Sequence, residues 1–273
     1  MTASVSIVAI IRFKEIWIMS YLYETHLHTC EASKCGRVHG EDYIPYLMDK
    51  GFSGMIVTDH FFNGNTCVPE DLPWNEKVEI YASGYERALK AAEGKDFNVM
   101  FGVEFNFLKD EYLLYGVDKK WLLENECIME MTRHELFDAV HKAGGIMIQA
   151  HPFRERDYLS DIKLAPTACD GIEVYNAANK PNMNALGYEY CMKLGLPMTA
   201  GSDIHYFHDN EMGGMLFETK LESVQDYARA ILNRSGIPVS LSPDGRITPV
   251  SEMREQTVPT ELPTLPVLYP EGK

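Results

Sequence analysis

What most constrains the fold of this chain is a series of short apolar segments that each end in a polar or ionisable residue. They are YLYETHLH, ending at His28; GMIVTDH, at His60; NVMFGVE, at Glu104; GIMIQAH, at His151; GIEVYN, at Asn176; and LPMTAGSDIH, at His205. Apolar runs of strand length, bounded by turn residues, are the pattern of strands buried on both faces. Helical periodicity fills the intervals. EDYIPYLMDKG predicts a helix stopped by Gly51, with Pro45 tolerated in its first turn. TRHELFDAVHKAGG opens on a capping box, Thr132 with Glu135, and closes on Gly144 and Gly145. EKVEIYASGYERALKAAEG, KPNMNALGYEYCMKLG and LESVQDYARAILNRSG repeat the theme. Strand alternating with helix implies a parallel sheet wound with helices. A barrel gathers the C-terminal ends of all its strands into one mouth, whereas an open doubly wound sheet uses one or two at its switch point. Six converging ends therefore predict an α/β barrel.

The residues at those ends predict a metal site. His26 and His28 flank Leu27 in a strand, so both imidazoles point to one face. Asp203 and His205 repeat the spacing around Ile204, while Asp59-His60, Glu104 and His151-Pro152 supply further strand ends. Buried ionisable groups in such number are costly unless paired or coordinated. Mixed imidazole and carboxylate donors suit zinc, manganese or iron better than magnesium or calcium.

In this order, HxH, TDH, GVE, AHP and GSDxH resemble the motifs of the PHP (polymerase and histidinol phosphatase) family, over roughly residues 21 to 217. The resemblance implies a distorted (β/α)7, TIM-like barrel with its metal site at the C-terminal strand ends. It also implies two or three divalent ions (Zn, Mn or Fe) and hydrolysis of a phosphoester by a metal-bridging hydroxide, with no protein nucleophile. By that resemblance His26, His28, Glu104 and Asp203 hold a first ion, and Glu104 bridges to a second held by His151. His60 and His205 belong to a third. The chain departs from the pattern twice. Where the family has a histidine after the glutamate strand, YLLYGVD puts Asp118, a candidate substitute ligand. The family's further ligand five or six residues after HxH falls here on Ser33 and Lys34, and Glu31 and His39 are the candidate stand-ins. Arg154, just past His151, is the first choice for a substrate anchor, because an arginine fork matches phosphate oxygens. Glu173 and Asn176 are expected to line the pocket or to hold a ligand imidazole.

Bulk properties narrow the partners. A net charge of −15 argues against long nucleic acid and anionic membrane, while a small phosphorylated substrate held by local cations is compatible with it. The six cysteines are scattered without a CxxC pair, which points to reduced thiols and a cytoplasmic protein. Cys30 and Cys35 lie beside the histidines, but no second close ligand pair follows to complete a zinc knuckle, so both are read as bystanders. Residues 1–18 read as an N-terminal extension ahead of Met19, residues 19–237 as the barrel, and residues 238–273 as a proline-rich tail. The tail is either packed on the barrel, with a short hairpin at Ser240–Thr248, or disordered. Two rival readings stand beside the phosphoesterase: an amidohydrolase-type metallohydrolase, and a non-catalytic, metal-stabilised PHP module.

Overall fold

The computed structural model describes residues 9–13, 16–257 and 263–270. Of the expected extension and tail, residues 1–8, 14, 15, 258–262 and 271–273 lie outside the described residues. The strands are β1 (Ala9–Phe13), β2 (Ile16–Leu27), β3 (Gly54–Val57), β4 (Asn98–Phe107), β5 (Asp110–Tyr115), β6 (Ile146–Gln149) and β7 (Ile162–Lys163). They continue as β8 (Gly171–Asn176), β9 (Met198–Gly201), β10 (Met212–Phe217), β11 (Ile237–Leu241), β12 (Ile247–Pro249) and β13 (Val267–Leu268). The helices are α1 (Tyr43–Asp49), α2 (Trp74–Ala91), α3 (Lys119–Glu124), α4 (Arg133–Lys142), α5 (Pro181–Leu194), α6 (Val224–Leu232) and α7 (Val250–Thr257).

One sheet of 11 strands organises the molecule, in the order β12-β11-β10-β2-β3-β4-β5-β6-β8-β9, with β1 paired to β2 off that path. The path curls. Leu27, the last residue of β2, bridges Ile204 just beyond β9, so the ends of β2 and β9 meet at the mouth of a distorted barrel. Gly201 permits that approach, since a Cβ there would come within 2.5 Å of the His26 Cβ.

The strictly parallel sheet expected from the alternation is not what forms. β2, β3 and β4 are parallel, as are β6, β8 and β9, but β5 is antiparallel to both its neighbours and β10 is antiparallel to β2. The reason is local. Only Leu108 and Lys109 separate β4 from β5, and both have positive φ (49° and 81°), the requirement of a tight two-residue hairpin. Elsewhere the predicted Thr132–Glu135 capping box is present on α4, while Pro181 opens α5 and left-handed Gly195 ends it.

The chain's tail adds structure of its own. β11 extends the sheet beside β10, and Ser240 on β11 pairs with Thr248 on β12. Further on, β13 runs parallel to β7, and Thr264 N–H donates to Glu155 Oε1 at 3.0 Å. The tail thus braces the loop between β6 and β8. Among the described residues no helix is long and apolar enough to cross a membrane.

Candidate metal centre

The site forms where β2, β3, β4, β6 and β9 end. His26 and His28, on and just past β2, are fully buried, and Glu104 from β4 projects between them. Its Oε1 lies 3.2 Å from both His26 Nε2 and His151 Nε2, and its Oε2 lies 2.5 Å from His60 Nδ1 and 3.5 Å from His28 Nε2. Asp203 Oδ1 stands 3.1 Å from His28 Nε2 and 3.6 Å from His26 Nε2. One carboxylate thus faces four imidazoles, and a second faces two of the same four.

Two candidate ligands reach the mouth through unusual backbone. His151 (φ 28°) and Asp203 (φ 55°) both occupy the left-handed region, rare for residues other than glycine, each two residues past a strand end.

The surrounding groups hold these side chains in ligand-ready form. Glu173 Oε1 takes His26 Nδ1 at 2.8 Å, which leaves Nε2 bare towards Glu104, and Glu173 Oε2 accepts from His151 N–H at 2.9 Å. Asp203 is divided likewise: Oδ1 faces the histidines, while Oδ2 accepts from Arg154 and from Asn176. Asp59 is no ligand. It accepts from the Thr29 N–H and hydroxyl and from the Ser33 hydroxyl, each at 2.6 Å, and so ties down the loop after β2. Ser33 in turn lies 3.1 Å from His28 Nδ1.

Whether these residues fit divalent cations is tested by the atoms left without partners. His26 Nε2, His28 Nε2, His60 Nδ1 and Glu104 Oε2 are buried and make no hydrogen bond, although they approach one another closely. Buried polar atoms are nearly always satisfied. These four gather around Glu104 in two overlapping groups, His26-His28-Glu104 and His60-Glu104-Glu111, and imidazole with carboxylate is the donor chemistry that borderline divalent metals take. The electrostatics agree. Burial opposes the charge on Glu104, yet His60 and His26 hold its carboxyl well below the usual carboxylate range. Burial likewise opposes Asp203, and Arg154 and His26 hold it well below that range. His28 is pushed down, by burial and then by His205 and His60.

Three placements differ from the sequence expectations. Asp118 caps α3, accepting from the Trp121 N–H at 2.7 Å, and is exposed. The group on that strand that meets the centre is Glu111, whose Oε2 is 3.6 Å from His151 Nε2 and whose Oε1 is 3.8 Å from His60 Nδ1. Because β5 runs antiparallel, its first residues lie at the mouth and the residues after its end lie away from it. Glu31 and His39 are grouped apart from His28, His60 and His205: they meet each other at 2.7 Å, with Cys30 Sγ 3.1 Å from His39 and Arg87 Nε 3.2 Å from Glu31, and their donor atoms cluster with that of Cys30. Cys35, read as a bystander, has its thiol within hydrogen-bonding reach of both His60 and His205.

Beside the centre opens a cavity of about 250 Å³, lined by Glu111 and His151 on one side and by Lys109, Arg154, Arg156 and Tyr158 on the other. Arg154, the expected substrate anchor, lines it but is already engaged, donating to Asn179 Oδ1 at 2.7 Å, to Asn176 Oδ1 at 2.6 Å and to Asp203. Arg156 is half-buried and has no carboxylate within ion-pair distance among the described residues. Burial and then the neighbouring Arg154 pull its pKa down.

No family model matches the sequence, and no curated protein matches it. Solved structures do. A two-domain protein from Bacteroides vulgatus, described as containing a predicted PHP-like metal-dependent phosphoesterase, superposes with a TM-score of 0.60 at 16% identity, covering 88% of this chain and 69% of that one. The lesion-specific endonuclease PfuEndoQ from Pyrococcus furiosus gives 0.51 at 13% identity, over 92% of this chain and 75% of its own. PsfC from Pseudomonas syringae gives 0.50 at 17% identity, over 77% and 88% respectively. At these identities the likeness is one of fold, a mixed α/β fold whose curled sheet is consistent with the distorted barrel expected.

Proposed function

We propose that this chain, which resembles the PHP family in both motif order and fold, is a metal-dependent hydrolase of small phosphate esters. The observation that carries the reading is the convergence of unpartnered, buried His26 Nε2, His28 Nε2, His60 Nδ1 and Glu104 Oε2 beside a cavity lined by Arg154 and Arg156. Two or three divalent ions bound there would lower the pKa of water towards neutrality and offset the charge on phosphoryl oxygens. His26, His28, Glu104 and Asp203 would hold one ion, and Glu104, Glu111, His151 and His60 a second.

The chain's own residues do the rest. Glu173 keeps His26 in the tautomer that presents Nε2, and Arg154 fixes the rotation of Asp203. Arg156, a cation with no carboxylate partner in a chain of net charge −15, meets the substrate phosphate. At about 250 Å³ the cavity is smaller than typical drug-sized pockets, which favours a compact ester over a polynucleotide. Arg156→Ala is expected to raise KM by roughly 10- to 100-fold, the worth of a charge-assisted hydrogen bond, with kcat changed far less. Steady-state kinetics on the best substrate separate the two, and an unchanged KM would show that Arg156 does not touch the phosphate.

The test of the function is a panel of phosphomonoesters, phosphodiesters, amides and lactones, run with protein loaded separately with manganese, zinc and iron. Hydrolysis of phosphoesters, abolished by chelation and restored by metal, is the expected result. Activity confined to amides or lactones would instead make the chain an amidohydrolase-type enzyme. Bound metal without any turnover would leave a metal-stabilised module. Metal content unaltered by His28→Ala would refute the site itself.

A further inference from the structure

We infer that Glu24 is a positioning residue of the metal centre: through one carboxylate oxygen it sets the spacing between the His26–His28 pair and Asp203. The inference rests on the metal-binding reading above and adds to it a residue that is not itself a ligand.

β2 changes neighbour on its way to the site. Tyr21, Leu22 and Tyr23 pair with Phe217, Leu216 and Met215 of β10, whereas Leu27 bridges Ile204 just beyond β9. At that bridge the backbones make ordinary parallel bonds. His28 N–H donates to the Ile204 carbonyl at 3.0 Å, and Ile204 N–H to the His26 carbonyl at 3.2 Å. Continued two residues back, the ladder would send the His26 N–H to the Ser202 carbonyl and the Ser202 N–H to the Glu24 carbonyl. Instead both N–H groups donate to Glu24 Oε1, each at 2.9 Å.

Those two N–H groups belong to His26 itself and to the residue before Asp203, so a single oxygen fixes the backbone on both sides of the first ion position. Asp203 depends on such an anchor, because at φ 55° it holds a conformation that the surrounding structure must maintain. Glu24 lies on the His26–His28 face of β2, one pleat further from the mouth. It is wholly buried, and its Oε2 makes no hydrogen bond. A carboxylate so placed is costly, and packing alone would be served better by an apolar side chain. What the carboxylate supplies is the acceptor for these two N–H groups. The neighbouring Thr25 makes a seam bond of another kind. Its hydroxyl donates to the Ala200 carbonyl at 2.7 Å, joining β2 to β9 without engaging the N–H of His26 or Ser202.

Two substitutions separate acceptor from charge. Glu24→Gln keeps the reach and an acceptor oxygen but loses the charge, whereas Glu24→Asp keeps the charge and withdraws both oxygens by one methylene. The readout is zinc affinity, measured by competition with a chromophoric chelator, with a thermal melt on each preparation. Glu24→Gln should hold every equivalent within about threefold of the wild type, and Glu24→Asp should weaken one equivalent by roughly 10- to 100-fold, the usual loss when a group that orients a ligand is removed. Thr25→Val should lower Tm without that loss of affinity. Glu24→Asp as tight as the wild type, or Glu24→Gln as weak as Glu24→Asp, would overturn the assignment and leave the metal centre standing. So would a Thr25→Val chain that loses the same affinity, or a Glu24→Asp chain that no longer folds, since either would make the effect one of the seam as a whole. A wild-type chain that binds no zinc would overturn both.

Discussion

Glu104→Gln is expected to strip the centre of most of its metal and to lower kcat by roughly 10³-fold or more, the equivalent of the several kcal/mol that bound metal contributes to phosphoryl-transfer chemistry. The magnitude follows from position. One carboxylate stands within 3.5 Å of ring nitrogens from His26, His28, His60 and His151, so both proposed ion positions share it. Glutamine keeps the shape but replaces one oxygen by an NH₂ donor, which cannot ligate and which meets imidazole nitrogens that need an acceptor's charge. The fold should survive, since β4 is held on both sides by backbone pairing, with Val57 opposite Phe101 and Leu113 opposite Glu104. Elemental analysis, turnover and a thermal melt on the same preparation decide it. Metal content equal to the wild type's would remove Glu104 from the centre, and lost metal with normal turnover would remove metal from the reaction.

Most of the frame could be read from the sequence because it depends on short-range rules. Period-two alternation places His26 and His28 on one face. Apolar runs mark β3, β6 and β8, and Thr132 with Glu135 marks the start of α4. What was not legible depends on chain direction and on loop paths. The hairpin between β4 and β5 turns at Leu108 and Lys109, without the Asn-Gly or Asp-Gly that advertises such turns. A parallel reading of the strand therefore points to Asp118 at the mouth rather than to Glu111. The period-two pattern of β5 could have been read in either direction; the shortness of the segment between the two apolar runs was the available signal. The path of the loop carrying Cys35 is illegible for another reason. Its arrival at His60 and His205 depends on Asp59 binding Thr29 and Ser33, and on Gly36 lying against Thr29. No spacing rule encodes those contacts. The engagement of Arg154 is of the same kind, because it depends on which guanidinium finds Asp203.

The largest stability effect is expected from Arg133, which lies outside the centre but supports Glu111. Arg133 is fully buried at the start of α4 and forks onto Asp110, Nε to Oδ2 at 3.1 Å and Nη2 to Oδ1 at 3.0 Å. Its guanidinium also lies over the rings of Phe107 and Tyr112, and the Tyr112 hydroxyl donates to Asp110 Oδ2 at 2.8 Å. Burial raises the pKa of the Asp110 carboxyl even with Arg133 beside it, so the pair does not fully recover the cost of its own desolvation. Removing one partner is then much worse than removing both. Arg133→Met should cost about 3–5 kcal/mol, since it leaves a buried carboxylate without its counter-charge. By the usual scaling for chains of this size, that loss lowers Tm by roughly 10 °C. Arg133→Met combined with Asp110→Leu should recover much of it. Because Asp110 is joined to Glu111, the single variant should also bind its second ion more weakly, so that turnover lost at low metal returns as metal is raised. Denaturant melts of the parent, the single and the double variant, followed by metal titrations of turnover, measure both effects. A single variant within about 1 kcal/mol of the parent would place it among ordinary surface substitutions. It would also show that the ion pair neither supports the hairpin nor positions Glu111.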